Sequence, residues 1–152
     1  MTTQSDAGVR ADALVLQEHM VALIRAFGLH KPDRTPCGVP VPVSEAHALM
    51  ELARVPHLAQ YELGERLDLE KSTVSRLVGQ LHRRGWLRRE QAADDARISL
   101  LSLTDEGRHT AAQLAAARSR RFARLLEGIP ADRHADVLHA LRQLAEAAHA
   151  HP

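Results

Sequence analysis

The residues of this chain best suited to chemistry are polar side chains spread around one short helix. Within residues 67–107, which read LDLEKSTVSRLVGQLHRRGWLRREQAADDARISLLSLTDEG, Val74, Leu77, Val78 and Leu81 fall at i, i+3, i+4 and i+7. That spacing predicts an apolar stripe along one side of an α-helix. Off the stripe stand Lys71, Ser72, Thr73, Ser75, Arg76, Gln80 and Arg83. Short hydroxyls, an amide and long cations are the groups that reach base edges and phosphates in a DNA major groove. The bland alternative is an ordinary solvated helix face. The segment after the helix favours DNA. Beyond Gly85 the period shortens, and residues 86–90 and 97–103 predict two short strands joined by a polar turn over residues 91–96. Residues 71–97 hold seven Lys or Arg and three Asp or Glu, a local charge of +4 where the whole chain carries +1. A helix on a scaffold followed by a basic hairpin is a winged helix-turn-helix, a DNA-binding device.

Individual roles follow from position. Lys71 and Arg83, at the two ends of the helix, suit phosphates, which position a protein without specifying sequence. Arg97, at the hairpin edge, suits the negative potential of a narrow A·T-rich minor groove. Its alternative is a surface salt bridge to Asp94 or Asp95, worth less than about 1 kcal/mol. Arg88 and Arg89 alternate faces on a strand, so one of them faces phosphates. Cys37, His30, His47 and His109 form a second candidate group, near the junction of the first two helices and the start of a long later one. Their spacing matches no closed zinc pattern. The default is a small loop cysteine with surface histidines; a thiol sensor or a metal site are the alternatives.

The elements that must hold these groups are helical. Leu16, Met20, Leu23, Ile24 and Phe27 mark a first amphipathic helix over residues 11–30, after a frayed start over residues 1–9. Pro32, Pro36, Pro40 and Pro42 with Gly38 exclude regular structure between residues 31 and 43. Ser44 suits the N-cap of a second helix carrying Ala46, Leu49, Met50 and Ala53, which Pro56 ends. Residues 60–67 supply the first helix of the helix-turn-helix, with Asp68-Leu69 as its turn. Thr104 opens a long helix whose Asp105 and Glu106 sit at the positive end of its dipole. That helix runs to about Glu127, and Gly128-Ile129-Pro130 breaks it. Asp132 suits the cap of a last helix bearing Val137, Leu138, Leu141, Leu144, Ala145 and Ala148. The outer helices are too extended to wrap one small core, so a second copy is the natural cover for them.

Composition sets the outer bounds. At 152 residues with 3% aromatics, the chain predicts a single domain with an aliphatic core. A single cysteine excludes an internal disulfide. The N-terminus is polar, unlike a signal peptide, and no apolar run approaches the roughly 20 residues that span a bilayer. The expectation is a soluble cytoplasmic protein with no membrane partner. The sequence assigns no cofactor. It holds no Ser/His/Asp arrangement, phosphate-binding glycine loop or carboxylate pair that would argue for an enzyme. A winged helix serving only as a protein-interaction module, without DNA, is the remaining alternative, and the local charge argues against it.

Several of these residues also match a family pattern. Asp95-Ala-Arg97 followed by Leu103-Thr104-Asp-Glu-Gly107 resembles the D-x-R-x5-L-T-x-x-G signature of the MarR family of bacterial transcriptional regulators. Leu63-Gly64-Glu-Arg-Leu67, Ser72-Thr73-Val74-Ser75-Arg76-Leu77-Val78, Leu81 and Arg84-Gly85-Trp86 are similar to that family's helix-turn-helix. Glu70 departs from the pattern, where Ser or Thr often caps the helix. The resemblance implies a mostly α fold with a small β-wing, a winged helix-turn-helix over about 44–107 and dimerisation helices over about 11–30 and 104–149. It implies a homodimer on a pseudo-palindromic double-stranded DNA operator, usually repressing until an effector binds. It also implies that Arg97 enters the minor groove while Asp95 orients the wing. Certain relatives bind zinc through Cys, His and Glu near the residues around Cys37, and others sense oxidants through one cysteine, so a small molecule, a metal or an oxidant are all open as effector.

Overall fold

The structure, a computed structural model, describes residues 3–151. Its elements run α1 (Thr3–Phe27), α2 (Val43–Arg54), β1 (Leu58–Ala59), α3 (Gln60–Leu67), α4 (Lys71–Arg83), β2 (Leu87–Gln91), β3 (Ser99–Leu103), α5 (Asp105–Glu127) and α6 (His134–Ala150), with a 3₁₀ turn at Ala131–Arg133 before α6. The three strands form one antiparallel sheet in the order β1-β3-β2. Leu87 pairs with Leu103 at the base of the hairpin, and Leu58 pairs with Leu101 on the other side of β3. No helix of the described residues is long and apolar enough to cross a membrane.

The core lies where the helix-turn-helix meets the sheet and α5. Leu49 of α2, Leu63 of α3, Val74, Val78 and Leu81 of α4, Leu87 and Leu101 of the hairpin and Leu114 of α5 are its largest buried side chains. The α4 stripe is therefore buried at all four expected positions, Val74, Leu77, Val78 and Leu81. At Gly64, a Cβ would stand 3.1 Å from Val74 Cγ2 and 3.2 Å from the Leu69 carbonyl, so the missing side chain lets α3 and α4 close. Asp68 turns the chain between them in the left-handed region at φ 52°. Short polar residues tolerate that conformation best after glycine.

Several boundaries differ from expectation, each for a local reason. The first helix begins at Thr3 and stops at Phe27, short of His30. Gly28, at φ +88°, lets the Gly28 and Leu29 amides both donate to the Ile24 carbonyl, which closes the helix end. The second helix is capped by Pro42, so Ser44 is inside it and makes no cap. Asp132 falls within the 3₁₀ turn and caps nothing; the Arg133 guanidinium reaches Asp136 instead. The strand β1 is invisible to periodicity because it is only two residues long, Leu58 and Ala59.

The wing is fastened to the body by one residue pattern. The Thr104 hydroxyl donates to the Gly85 carbonyl at 2.6 Å and accepts from the Gly107 amide at 3.0 Å. The Thr104 amide donates to the Trp86 carbonyl at 3.0 Å. A Cβ at Gly107 would meet that same carbonyl oxygen at 2.0 Å. Gly107→Ala should therefore destabilise the chain by about 3 kcal/mol or more, because backbone rather than a flexible side chain must move. Gly8→Ala, on α1 with nothing within 4 Å of its Cβ, should be neutral or slightly stabilising. Thermal unfolding of both variants checks this, and equal melting temperatures would contradict it.

Candidate nucleic-acid interface

Burial of the α4 stripe turns the rest of that helix outward. Lys71, Ser72, Ser75, Arg76 and Arg83 are exposed, while Thr73 and Gln80 are half-buried at the margins of the stripe. Glu70 occupies the N-cap without a side-chain hydrogen bond, so the first turn of α4 keeps its amides free of a protein cap. Two cations converge at the other end. A Cβ at Gly79 would lie 3.4 Å from Arg83 Nη1 and 3.8 Å from Arg89 Nη2, so Arg83 and Arg89 both lean on this glycine. Of the two strand arginines, Arg89 thus joins the α4 surface. Arg88 is exposed elsewhere on β2.

The wing departs from expectation in one respect. Arg97 is in the connection between β2 and β3, since β3 begins at Ser99. The Arg97 amide donates to Asp95 Oδ1 at 2.9 Å, and the Ile98 amide donates to the Asp95 carbonyl at 3.0 Å. Asp95 thereby folds the connection into a turn of its own and aims the residue beyond it. Among the described residues Arg97 makes no ion pair with Asp94 or Asp95. Arg97 and Lys71 border one cleft of about 660 Å³ between α3, the start of α4 and the wing. Tyr61 of α3, 61% exposed, shares that border. Motif and periodicity do not single out Tyr61; being the single tyrosine in a chain with 3% aromatics is the one signal the sequence offers.

Arg84 behaves differently from its neighbours. Its Nε stands 2.7 Å from Glu45 Oε2, and its guanidinium stacks 5.0 Å from the Trp86 ring. This is a charge contact rather than a directed hydrogen bond, since no donor is aimed at Glu45 Oε2. Arg84 therefore serves the body of the chain and adds no free charge to the outer face.

The second candidate group divides. Cys37 and His47 line a cavity of about 280 Å³ together with Phe27, Arg118, Arg121 and Phe122. His30 and His109 are exposed and do not line it. Among the described residues no three His, Cys, Asp or Glu side chains gather as a metal cage, so the four do not converge as a ligand set. Buried Thr35 organises the cavity mouth. Its hydroxyl donates to the Val39 carbonyl at 3.1 Å, and with that proton committed the Cys37 thiol donates to Thr35 Oγ1 at 2.9 Å. Arg121 lies over the Phe27 ring at 5.5 Å, and Phe27 meets Phe122 at 5.4 Å. The cavity is thus walled by aromatic rings and bordered by two guanidinium groups. Burial, and then the Arg118 cation, hold the His47 imidazole below its ordinary value of 6.5, with Glu51 opposing.

Comparison with known proteins places this geometry. A family model described as the MarR family matches residues 38–98. The PcaV transcriptional regulator from Streptomyces coelicolor, solved in complex with its natural ligand, is 30% identical, with 90% of each chain covered and a TM-score of 0.63. The chain belongs to the MarR family. Two further MarR-like folds were solved with DNA. FabT of Streptococcus pneumoniae is 17% identical, with a TM-score of 0.71 over 92% of this chain and 96% of that one. MepR of S. aureus is 19% identical, with a TM-score of 0.65 over 70% of this chain and 80% of that one. No curated protein matches the chain. The winged helix-turn-helix expected from the sequence is the MarR-type winged helix observed, mostly α with a small sheet, and it is the fold of a transcriptional regulator.

The cavity offers a spectroscopic check in this MarR-family protein. His47 should titrate below 6.5 by NMR, and Arg118→Ala should bring it part of the way back, burial being the larger cause. A His whose folded-state value is lowered adds stability above pH 6.5 and loses it as pH falls, because the unfolded chain binds the proton first. Titration at or above 6.5 would contradict the placement of His47 beside Arg118.

Proposed function

We propose that this chain is a dimeric transcriptional repressor that binds a pseudo-palindromic operator and is released by a small anionic effector. The observation that carries the DNA reading is the outward face of α4, with its exposed Lys71, Ser72, Ser75, Arg76 and Arg83, beside a wing whose Arg97 carries no protein counter-charge among the described residues. Ser72, Thr73, Ser75, Arg76 and Gln80 read base edges from the major groove. Lys71, Arg83 and Arg89 neutralise phosphates, with Arg88 at the margin of that surface. Arg97 enters the adjacent minor groove, and Asp95 orients it. The DNA complexes solved for FabT and MepR support the same docking.

The dimer follows from the faces the chain leaves uncovered. None of the residues of α6 is buried, and Leu138 and Leu141 are about half exposed, at 54% and 48%. Leu14, Val15 and Leu16 on α1 and Phe122 and Leu125 on α5 are exposed as well. A 17-residue helix with no fully buried residue in its own chain is marginal in water, and a symmetric second copy covers these faces. Two-fold symmetry then sets the two copies of α4 about 34 Å apart, one turn of DNA. The effector reading rests on the cavity of Phe27, Cys37, His47, Arg118, Arg121 and Phe122, whose rings and guanidinium groups suit a flat anion. The PcaV structure solved with its natural ligand supports a bound effector.

Selection of a bound sequence from a pool of random duplexes tests this reading. A two-fold symmetric site should emerge, bound by one dimer that sediments at about twice the chain mass. Arg76→Ala should then cost about 1–3 kcal/mol per half-site on the selected operator and little on unrelated DNA. Arg97→Ala should weaken both and flatten the slope of log K against log salt by up to about 0.9 per phosphate released. Identical behaviour of the two variants on both duplexes would overturn the division of roles, and a monomer that selects no sequence would overturn the function.

A further inference from the structure

The apolar stripe of α4, Val74, Leu77, Val78 and Leu81, sets which face of that helix is buried. Its finer tilt depends on the contacts at its ends as well as on the fit of the stripe. At its start α4 has none from a side-chain cap, since Glu70 makes no such bond. At its end the Arg84 side chain, on the C-cap residue, reaches Glu45 on α2. Glu45 is only 3% exposed, and Arg84 is the one cation within ion-pair distance of it among the described residues. The remaining contacts at that end, His82 Nδ1 with the Leu87 carbonyl and the Trp86 amide with the Leu81 carbonyl, join α4 to its own wing strand. They tie the end of α4 to the wing root that α5 holds, whereas Arg84 ties it to α2.

Glu45 is buried but the Arg84 side chain is 42% exposed, so solvent screens the pair and it adds little stability; such a contact can still select one geometry among several. We infer that Glu45 is a positioning residue for DNA reading: through Arg84 it sets the angle at which α4 leaves the body of the chain, against a wing root that α5 holds. The junction is well suited to that task. Arg84, Gly85 and Trp86 are consecutive, and α2 holds the first while α5 holds the other two through Thr104 and Gly107. A shift of Arg84 therefore turns the reading helix against a wing root that α5 keeps in place. The sequence bears no trace of this, since Glu45 has the composition of a surface residue in the first turn of a helix.

The inference rests on the reading of α4 as the DNA-reading helix, and its test separates the two. Glu45→Gln, Arg84→Gln and the double variant are titrated against the selected operator and against a random duplex of equal length. All measurements are made at a temperature where circular dichroism shows each variant folded. Should either single variant fail to fold with its partner left unpaired, the double variant, which leaves no orphaned charge, carries the experiment alone. Operator affinity should fall roughly tenfold in each variant, with the double variant no worse than the singles, since all three remove one contact. Affinity for the random duplex should stay unchanged, because phosphate contacts tolerate a small change of angle. A merely structural pair would lower the melting temperature and leave the ratio of the two affinities untouched, which would overturn the inference. Equal weakening on both duplexes would also overturn it, by making Arg84 a phosphate contact. If the wild-type protein selects no sequence, the DNA reading itself fails and this inference with it.

Discussion

The arrangement depends on one close approach between backbones, that of Gly107 at the start of α5 and the Trp86 carbonyl at the root of the wing. No other residue type leaves room there, because even a methyl group would overlap the carbonyl oxygen. The contact brings the N-terminus of α5 against the end of α4, and Thr104 then satisfies three backbone groups at once. In physical terms the Leu-Thr-x-x-Gly pattern is a joint. Leu103 is buried in the core, Thr104 caps the helix and ties it to Gly85, and Gly107 permits the approach.

Around that joint the charges are sorted by the groups they can reach. Of three cations near the end of α4, Arg83 and Arg89 lean on Gly79 at the outer surface, while Arg84 turns inward to Glu45 and Trp86. Neighbours in sequence thus face opposite environments, as a helix C-terminus allows. The same α2 that carries Glu45 also lends Ala46 and His47 to the cavity beside Arg118. A single short helix therefore touches both the aromatic-walled cavity and the anchor of α4, with no intervening element.

Much of this was legible in the sequence, and the failures have a common origin. The stripe of α4, the helix-turn-helix turn at Asp68 and the Thr104 cap were all visible, because each depends on local spacing or local hydrogen bonding. The outward polar face followed from the stripe by subtraction. The features that could not be read depend on partners distant in sequence. Strand β1 exists because β3 offers it an edge, and the burial of Glu45 exists because Arg84 lies across from it. Cys37 and His47 share a cavity because α2 and the proline-rich loop pack against α5, whereas His30 and His109, equally eligible by composition, are left at the surface. Gly28 is the exception: its role as a helix stop was local and available, and the apolar run up to Phe27 concealed it.

The exposure of α6 has a consequence beyond geometry. In the proposed dimer, a helix that buries none of its residues in its own chain is held in place by mass action, so its population depends on how much of the protein is present. Abundance then becomes a variable of folding as well as of occupancy. In such a dimer the outer helices would be the first to fray at low copy number, ahead of the core around Leu49 and Leu81.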